Sequence, residues 1–485
     1  MRLHSQGKTT ISLSEPLQTG GQLEHLPPHV AANLAVMRSS SSRAIALALS
    51  AGVVLAGCSS TDRSAAPAEE VVASEQASEF VEPSASETES EVEQEELGVE
   101  VDPAAKQQSE VESTLPEGDS WVVSLGDSFI SGEAGRWAGN QTWSTSSVDA
   151  LGASAYADGA GGETITRCHR SKSAAIHIGD VQSLNLACSG AITSTEFDSA
   201  GNFKPGIDFY NESGRKGQAL LLQEFAEENR VGMVALSIGG NDFKFGPIIS
   251  ECIKSFLRPS VFGSYCRNDS TVQGYVSEAA ANRVRENITK AILNISTAME
   301  KAGYQDSDWT LGLQLYPNVI AGPSDMRYSE SGYDRQLKGG CGFRDQDSAW
   351  AIDTVIPLIN GTVTQAAAAA QQEKPKLQLV TLDASNAFAE RTLCHKKVNR
   401  VLDSGGASSW ADTDAVDKSE WTMEINMVNP NDTFQQESVH PNYWGQLALR
   451  SCWRQAWNNG NVRGGTCERG GNGLNEFGEP QMRLG

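Results

Sequence analysis

The sequence predicts a three-layer α/β/α fold on a doubly wound, mostly parallel five-stranded sheet. Two observations lead there. From Trp121 onward, short apolar runs alternate with longer stretches of helical periodicity, the pattern of a parallel sheet covered on both faces. The runs Trp121-Val-Val-Ser-Leu125 and Val231 to Ile238 are also dense in bulky residues rather than strictly alternating, as strands buried on both sides are.

Strands are expected at 121–125, 184–187, 231–238, 309–315 and 377–382. Between them, 275–302 carries Val284, Ile288, Ala291, Ile292, Ile295 and Met299 at helical spacing, and 347–372 and 443–457 also read as helices. The crossovers should be right-handed. This domain, 119–470, is long for a single sheet, so the surplus is assigned to loops on the active face. Ala155 to Thr166, with glycine and alanine near its middle, reads as a mobile rim, and 471–485 as a flexible tail.

Ahead of the domain the composition changes. Met37-Arg-Ser-Ser-Ser-Ser-Arg43 is a basic lead, and Ala44 to Ala56 is apolar but too short to span a bilayer, so 37–57 reads as a signal peptide and 1–36 as upstream of the true start. It ends in Leu55-Ala-Gly-Cys58, which resembles a bacterial lipobox and implies a lipidated Cys58 at the mature N-terminus. Residues 58–118 are mostly Ser, Ala and Glu, with Arg63 and Lys106 the only basic side chains. Such a stretch cannot offset its ordering entropy by burial, so it is expected to be a disordered acidic tether. It accounts for most of the net charge of −23, and nothing in the remainder suggests nucleic-acid binding.

The other eight cysteines, 168, 188, 252, 266, 341, 394, 452 and 467, form an even set behind an export signal, and no Cys-x-x-Cys pair suggests zinc. Their connectivity is not decided by sequence. Pairing of successive residues (Cys168–Cys188, Cys252–Cys266, Cys341–Cys394, Cys452–Cys467) is the simplest arrangement.

Four blocks carry the chemistry. In the first, strand 121–125 ends in Gly126-Asp127-Ser128-Phe129, a turn that delivers one hydroxyl to the carboxyl end of a strand beside a helix N-terminus. It is no phosphate loop, because five residues separate Gly126 from Gly132 and Glu133 follows. The second is Cys168-His-Arg-Ser171 with Leu186-Ala-Cys-Ser-Gly190-Ala191, where Gly190 can bring its N–H close to a ligand. In the third, Ser237-Ile-Gly-Gly-Asn241-Asp-Phe243, an asparagine amide can donate at a second strand end. The last is Glu437-Ser-Val-His440-Pro-Asn442, ahead of the final helix. Each alone could be an ordinary turn or cap. Together they supply a hydroxyl, N–H donors and a late imidazole.

These four blocks resemble the SGNH hydrolases, or GDSL-type esterases and lipases, over about 120 to 468. Gly126-Asp-Ser-Phe-Ile-Ser-Gly-Glu133, Cys168-His-Arg-Ser171 and His440-Pro-Asn442 are similar to the large secreted actinobacterial members. The resemblance implies a flavodoxin-like sheet, Ser128 as nucleophile, His440 as general base, and an oxyanion hole made by the Ser128 and Gly190 N–H groups and Asn241. The family usually has Asp three residues before the histidine; here Glu437 stands there, while some relatives are similar to dyads in which a main-chain carbonyl orients the imidazole. No metal or cofactor is implied. The expected partners are an ester substrate, lipid or an acylated small molecule or glycan, and the outer face of the bacterial membrane through the lipid anchor, with the chain a monomer. The rival readings are a polysaccharide O-acetyl esterase and a non-catalytic surface binding module.

Overall fold

The structure is a computed structural model and describes residues 115–258, 264–426 and 436–485. The expected leader, lipidated Cys58 and tether up to residue 114 lie outside the described residues.

Five parallel strands form the centre of the sheet: β1 (Trp121–Gly126), β2 (Gln182–Asn185), β3 (Val231–Ser237), β4 (Thr310–Gln314) and β5 (Gln378–Asp383). They lie in the spatial order 2-1-3-4-5, so the chain reverses direction across the sheet between β1 and β3. That switch point is where the loops after neighbouring strands diverge and leave a crevice at their carboxyl ends. The five expected strands are all present, each within a few residues of its expected bounds.

Side chains alternate across the sheet and feed two cores. Val123 and Leu125 of β1, with Val234 and Leu236 of β3, face one layer, whereas Val122, Met233 and Ala235 face the other. The first layer is covered by α2 (Gln218–Ala226), α4 (Glu278–Lys301) and α5 (Ile356–Glu373); the second by α6 (Tyr443–Trp457). The stripe Val284, Ile288, Ala291, Ile292, Ile295 and Met299 of α4 is buried, and Ser277 caps its start by accepting from the Ala280 N–H at 3.3 Å. Two further helices stand beside the carboxyl ends of the strands, the single turn α1 (Ser128–Ser131) and the longer α3 (Phe245–Leu257). The expected helix 347–372 is interrupted: a helical turn at Asp345–Trp350 passes through a π-helical turn at Ala351–Val355 before α5 begins. Pro357 has no N–H for the carbonyl four residues back, which favours such a break.

The sheet is larger than the sequence suggests. β6 (Gly465–Leu474) joins parallel to β5, and β7 (Pro480–Leu484) closes the edge antiparallel to β6. Residues 471–485, expected as a flexible tail, are therefore part of the sheet, and Pro480, Met482 and Leu484 face inward while Gln481 and Arg483 face out. The glycines scattered between Gly464 and Gly473 hide β6 from any propensity argument. Buried Glu479, paired with Arg454 of α6 at 2.6 Å, and the Cys452–Cys467 disulfide fasten it to α6. Leu484→Ala should consequently lower unfolding free energy by about 2–4 kcal/mol in urea titration, as truncation of a buried leucine does; a loose tail would leave it unchanged.

Candidate active site

Gly126 ends β1 in a conformation (φ +130°) that L-residues rarely adopt, and a Cβ there would lie 2.0 Å from the Ser237 carbonyl oxygen of β3. Only glycine fits between these two strand ends. Gln218, the first residue of α2, secures its backbone from both sides: the Gly126 N–H donates to Gln218 Oε1 at 2.7 Å, and Gln218 Nε2 donates to the Gly126 carbonyl at 3.0 Å. The chain then turns, with the Asp127 N–H donating to the Ser237 carbonyl at 2.8 Å and the Asp127 carboxylate capping α1 through the Phe129 N–H at 3.1 Å. Ser128 is the first residue of that helix.

Three strand ends converge here on one cavity of about 430 Å³, which Ser128, Gly190, Asn241 and His440 all line. His440 Nε2 lies 2.6 Å from Ser128 Oγ. For Nε2 to accept the hydroxyl proton, the neutral imidazole must carry its own proton on Nδ1. The backbone N–H groups of Ser128 and Gly190 donate to no acceptor among the described residues. Asn241 Nδ2 donates one hydrogen to the Ala191 carbonyl at 2.9 Å, which leaves its second hydrogen for the cavity. Phe129 packs 5.1 Å from the His440 ring and 5.0 Å from Tyr316, centroid to centroid, and walls the pair off on one side.

Glu437 does not occupy the place expected of a triad acid. Its carboxylate accepts from Trp137 Nε1 at 2.7 Å through one oxygen and from the Tyr156 hydroxyl through the other, and it makes neither a hydrogen bond nor an ion pair with His440. The chain turns sharply at Val439 (φ +65°) between the two residues, so their spacing does not bring the side chains together. Nδ1 of His440 is buried without a hydrogen bond of good geometry. Burial holds the imidazole below its usual pKa, opposed by the negative charge of Glu133 and by the main-chain carbonyls of Ser438 and Glu437.

Glu133 is a residue whose role the sequence reading did not assign. Wholly buried, it accepts from Gln436 Nε2 at 3.0 Å and pairs with His169 Nδ1 at 2.7 Å. Burial works against its charge, but His169 and His440 outweigh it and pull its pKa down to about 2, while the same charge helps burial push Glu437 up to about 7. His169 is stacked under Tyr156, with ring centroids 4.4 Å apart. The Cys168-His-Arg-Ser171 block thus acts as a buttress, Arg170 holding the carbonyls of Leu186 and Ala187 at 2.9 and 2.8 Å.

Tyr316, just past the end of β4, is a second unforeseen residue. Its hydroxyl donates to the buried Asp127 carboxylate and accepts from the Gly240 N–H at 2.9 Å, tying the serine turn to the asparagine turn. Asp242 ties the third block to the segment just after the second, accepting from Thr193 Oγ1 at 2.6 Å. Strand-end position could have pointed to Tyr316; nothing in the sequence marks Tyr156. The expected rim, Ala155 to Thr166, contributes no residue to the cavity lining. Its start is instead held by the ring of Tyr156 stacked on His169, and the wall is formed by Phe245, Pro247 and Ile249 with Ile425 and Val439.

The structure joins Cys168 to Cys188, Cys252 to Cys266, Cys341 to Cys394 and Cys452 to Cys467. The first staples the second block together directly beside Gly190. Among the described residues, no three His, Cys, Asp or Glu side chains converge closely enough to hold a metal ion, and no helix is long and apolar enough to cross a membrane.

The architecture is an α/β protein with paired serine and histidine at the switch point of its sheet. No protein-family model and no curated protein matches the chain. Among solved structures it is similar to an extracellular lipase from Streptomyces rimosus (14% identity, 67% of this chain and 94% of that one, TM-score 0.33). It is also similar to phospholipase A1 from Streptomyces albidoflavus (15%, 68% and 95%, TM-score 0.35) and to a family two carbohydrate esterase from Clostridium thermocellum (11%, 71% and 65%, TM-score 0.32).

The placement of Glu437 has a consequence for stability. A carboxyl pushed above its unfolded value favours folding fully below about pH 4.5, and that contribution is lost as pH rises toward 7. Glu437→Gln removes the titration while its oxygen still accepts from Trp137 and its NH2 can donate to the Tyr156 oxygen. Its Tm should match the native chain near pH 4.5 and exceed it at pH 8; a lower Tm at pH 8 would show that the ionised carboxylate is the stabilising form.

Proposed function

We propose that the protein is an exported serine esterase that hydrolyses carboxylic esters through an acyl-enzyme, anchored outside the bacterial membrane by lipid on Cys58. The observation that carries the reading is the 2.6 Å contact of Ser128 Oγ with His440 Nε2 in a cavity also lined by Gly190 and Asn241. Four disulfides belong to a protein that folds in an oxidising compartment.

In this mechanism His440 Nε2 takes the Ser128 proton as Oγ attacks the ester carbonyl carbon. The carbonyl oxygen becomes an oxyanion that accepts from the Ser128 N–H, the Gly190 N–H and the second Asn241 hydrogen, donors already fixed before the charge develops. Collapse breaks the carbon–oxygen bond to the alcohol, which leaves with the proton from His440. Water then gives its proton to His440 and attacks the acyl-serine, releasing the acid and restoring the Ser128 hydroxyl. The imidazolium formed at each step is favoured by the ionised Glu133 and by main-chain carbonyls rather than by a Glu437 carboxylate. Burial puts the His440 pKa below its ordinary value, so the acid limb of kcat/KM should fall below pH 6.5.

The cavity wall of Phe245, Pro247, Ile249, Ile425 and Val439 favours an aliphatic acyl group over an acetylated sugar. A panel of p-nitrophenyl esters of rising chain length, run beside acetylated xylan, separates these substrates. Turnover of the longer esters with little acetate released from xylan is expected, and the reverse would make the protein an O-acetyl esterase. Asn241→Ala should lower kcat by roughly 10²–10³ with KM little changed, whereas Glu437→Gln should keep kcat of the same order as the native chain, against the roughly 10⁴-fold loss that follows removal of a true triad acid. A rise in KM alone for Asn241→Ala would make it a substrate-binding group.

A further inference from the structure

Lys204 is a long cationic side chain with only 3% of its surface exposed, and it has no carboxylate partner within ion-pair distance among the described residues. Its ammonium group donates instead to two main-chain carbonyls, those of Arg167 and Ser189, each at 2.8 Å. Burying an ammonium in this way costs more than burying an apolar side chain of the same length, so the fold alone gives no reason for it.

The carbonyl of Ser189 belongs to the same peptide unit as the N–H of Gly190. Residues Cys188 to Ala191 form a tight turn closed by the Ala191 N–H donating to the Cys188 carbonyl at 3.0 Å, with Gly190 at φ +82° in the third position, the type II form. The central peptide of such a turn takes no part in its closing hydrogen bond and can flip to the type I orientation, and a glycine at the third position opposes neither form. In a planar trans peptide the N–H points opposite to the C=O. With the carbonyl held by Lys204, which is outside the cavity lining, the Gly190 N–H points the opposite way. Lys204 itself does not line the cavity, although its stem runs close beneath Gly190, with Cε 3.3 Å from where a Cβ would stand.

We propose that Lys204 is a positioning residue that locks and polarises the Ser189–Gly190 peptide so that its N–H serves the oxyanion. The inference rests on the esterase reading and adds to it a cation acting through a peptide bond. A positive charge on the carbonyl oxygen draws electron density from the amide and makes its N–H a stronger donor, an effect felt most when the substrate oxygen becomes negative.

The experiment compares Lys204→Met with the native chain in steady-state hydrolysis of a p-nitrophenyl ester, alongside binding of an alkyl trifluoromethyl ketone, which forms an oxyanionic adduct with a catalytic serine. Lys204→Met should lose roughly 10² in kcat with KM little changed, and its affinity for the ketone should fall in parallel. Unchanged kcat, or a raised KM with kcat and ketone affinity intact, would overturn the proposal. Should the methionine variant fail to fold by circular dichroism, Lys204→Gln retains a neutral donor for Ser189, and it should lose kcat and ketone affinity together; full retention of both would overturn the proposal equally. Native chain that hydrolyses no ester would bring down the esterase reading and this inference with it, whereas an active native chain beside an equally active Lys204→Met would bring down this inference alone.

Discussion

The structure depends on the close approach of two parallel strand ends at Gly126. A backbone without Cβ lies against the Ser237 carbonyl, and Gln218 satisfies both of its polar groups. From that contact the Asp127 N–H reaches β3, α1 starts, and the Ser128 hydroxyl is held where the loops after β1, β2 and β3 diverge. Each further link ties one of those loops to another: Tyr316 joins Asp127 to Gly240, Asp242 joins the third block to Thr193, and Asn241 itself holds the Ala191 carbonyl. Donors on separate strands are thereby fixed relative to one another without any one loop being rigid by itself.

Charge is distributed around this frame in a way that differs from a simple triad. Two buried carboxylates lie near one another, and they cannot both ionise cheaply. Glu133 keeps its charge because His169 pairs with it, and Glu437 is pushed toward its neutral form, bound by Trp137 and Tyr156. The ionised member that favours a protonated His440 therefore comes from the serine block, five residues after Ser128, and not from the histidine block.

Much of this was legible from residues alone. β1, β3 and β4 were readable because strands buried on both faces are dense in large apolar residues, and α4 because its stripe has helical spacing. Ser128, Gly190, Asn241 and His440 could be singled out because glycine-bearing strand ends and a late His-Pro-Asn are local patterns, and the structure brings all four to one cavity. What could not be read depends on tertiary geometry. Glu437 has a suitable side chain at a suitable spacing, but the backbone at Val439 turns it away. β6 is too rich in glycine to announce itself, and is held by pairing with β5 and β7. Lys204 lies in a two-residue strand and Tyr156 in a turn, and only the fold brings them to Gly190 and His169.

The convergence of Ser128 and His440 is tested most directly by covalent trapping. The native chain and His440→Ala are treated with a fluorophosphonate, digested, and mapped by mass spectrometry. An activated serine at the cavity floor predicts one phosphonyl adduct, on the peptide bearing Ser128, formed rapidly in the native chain and lost in His440→Ala. An unmodified native chain, or an adduct on any other serine, would contradict it.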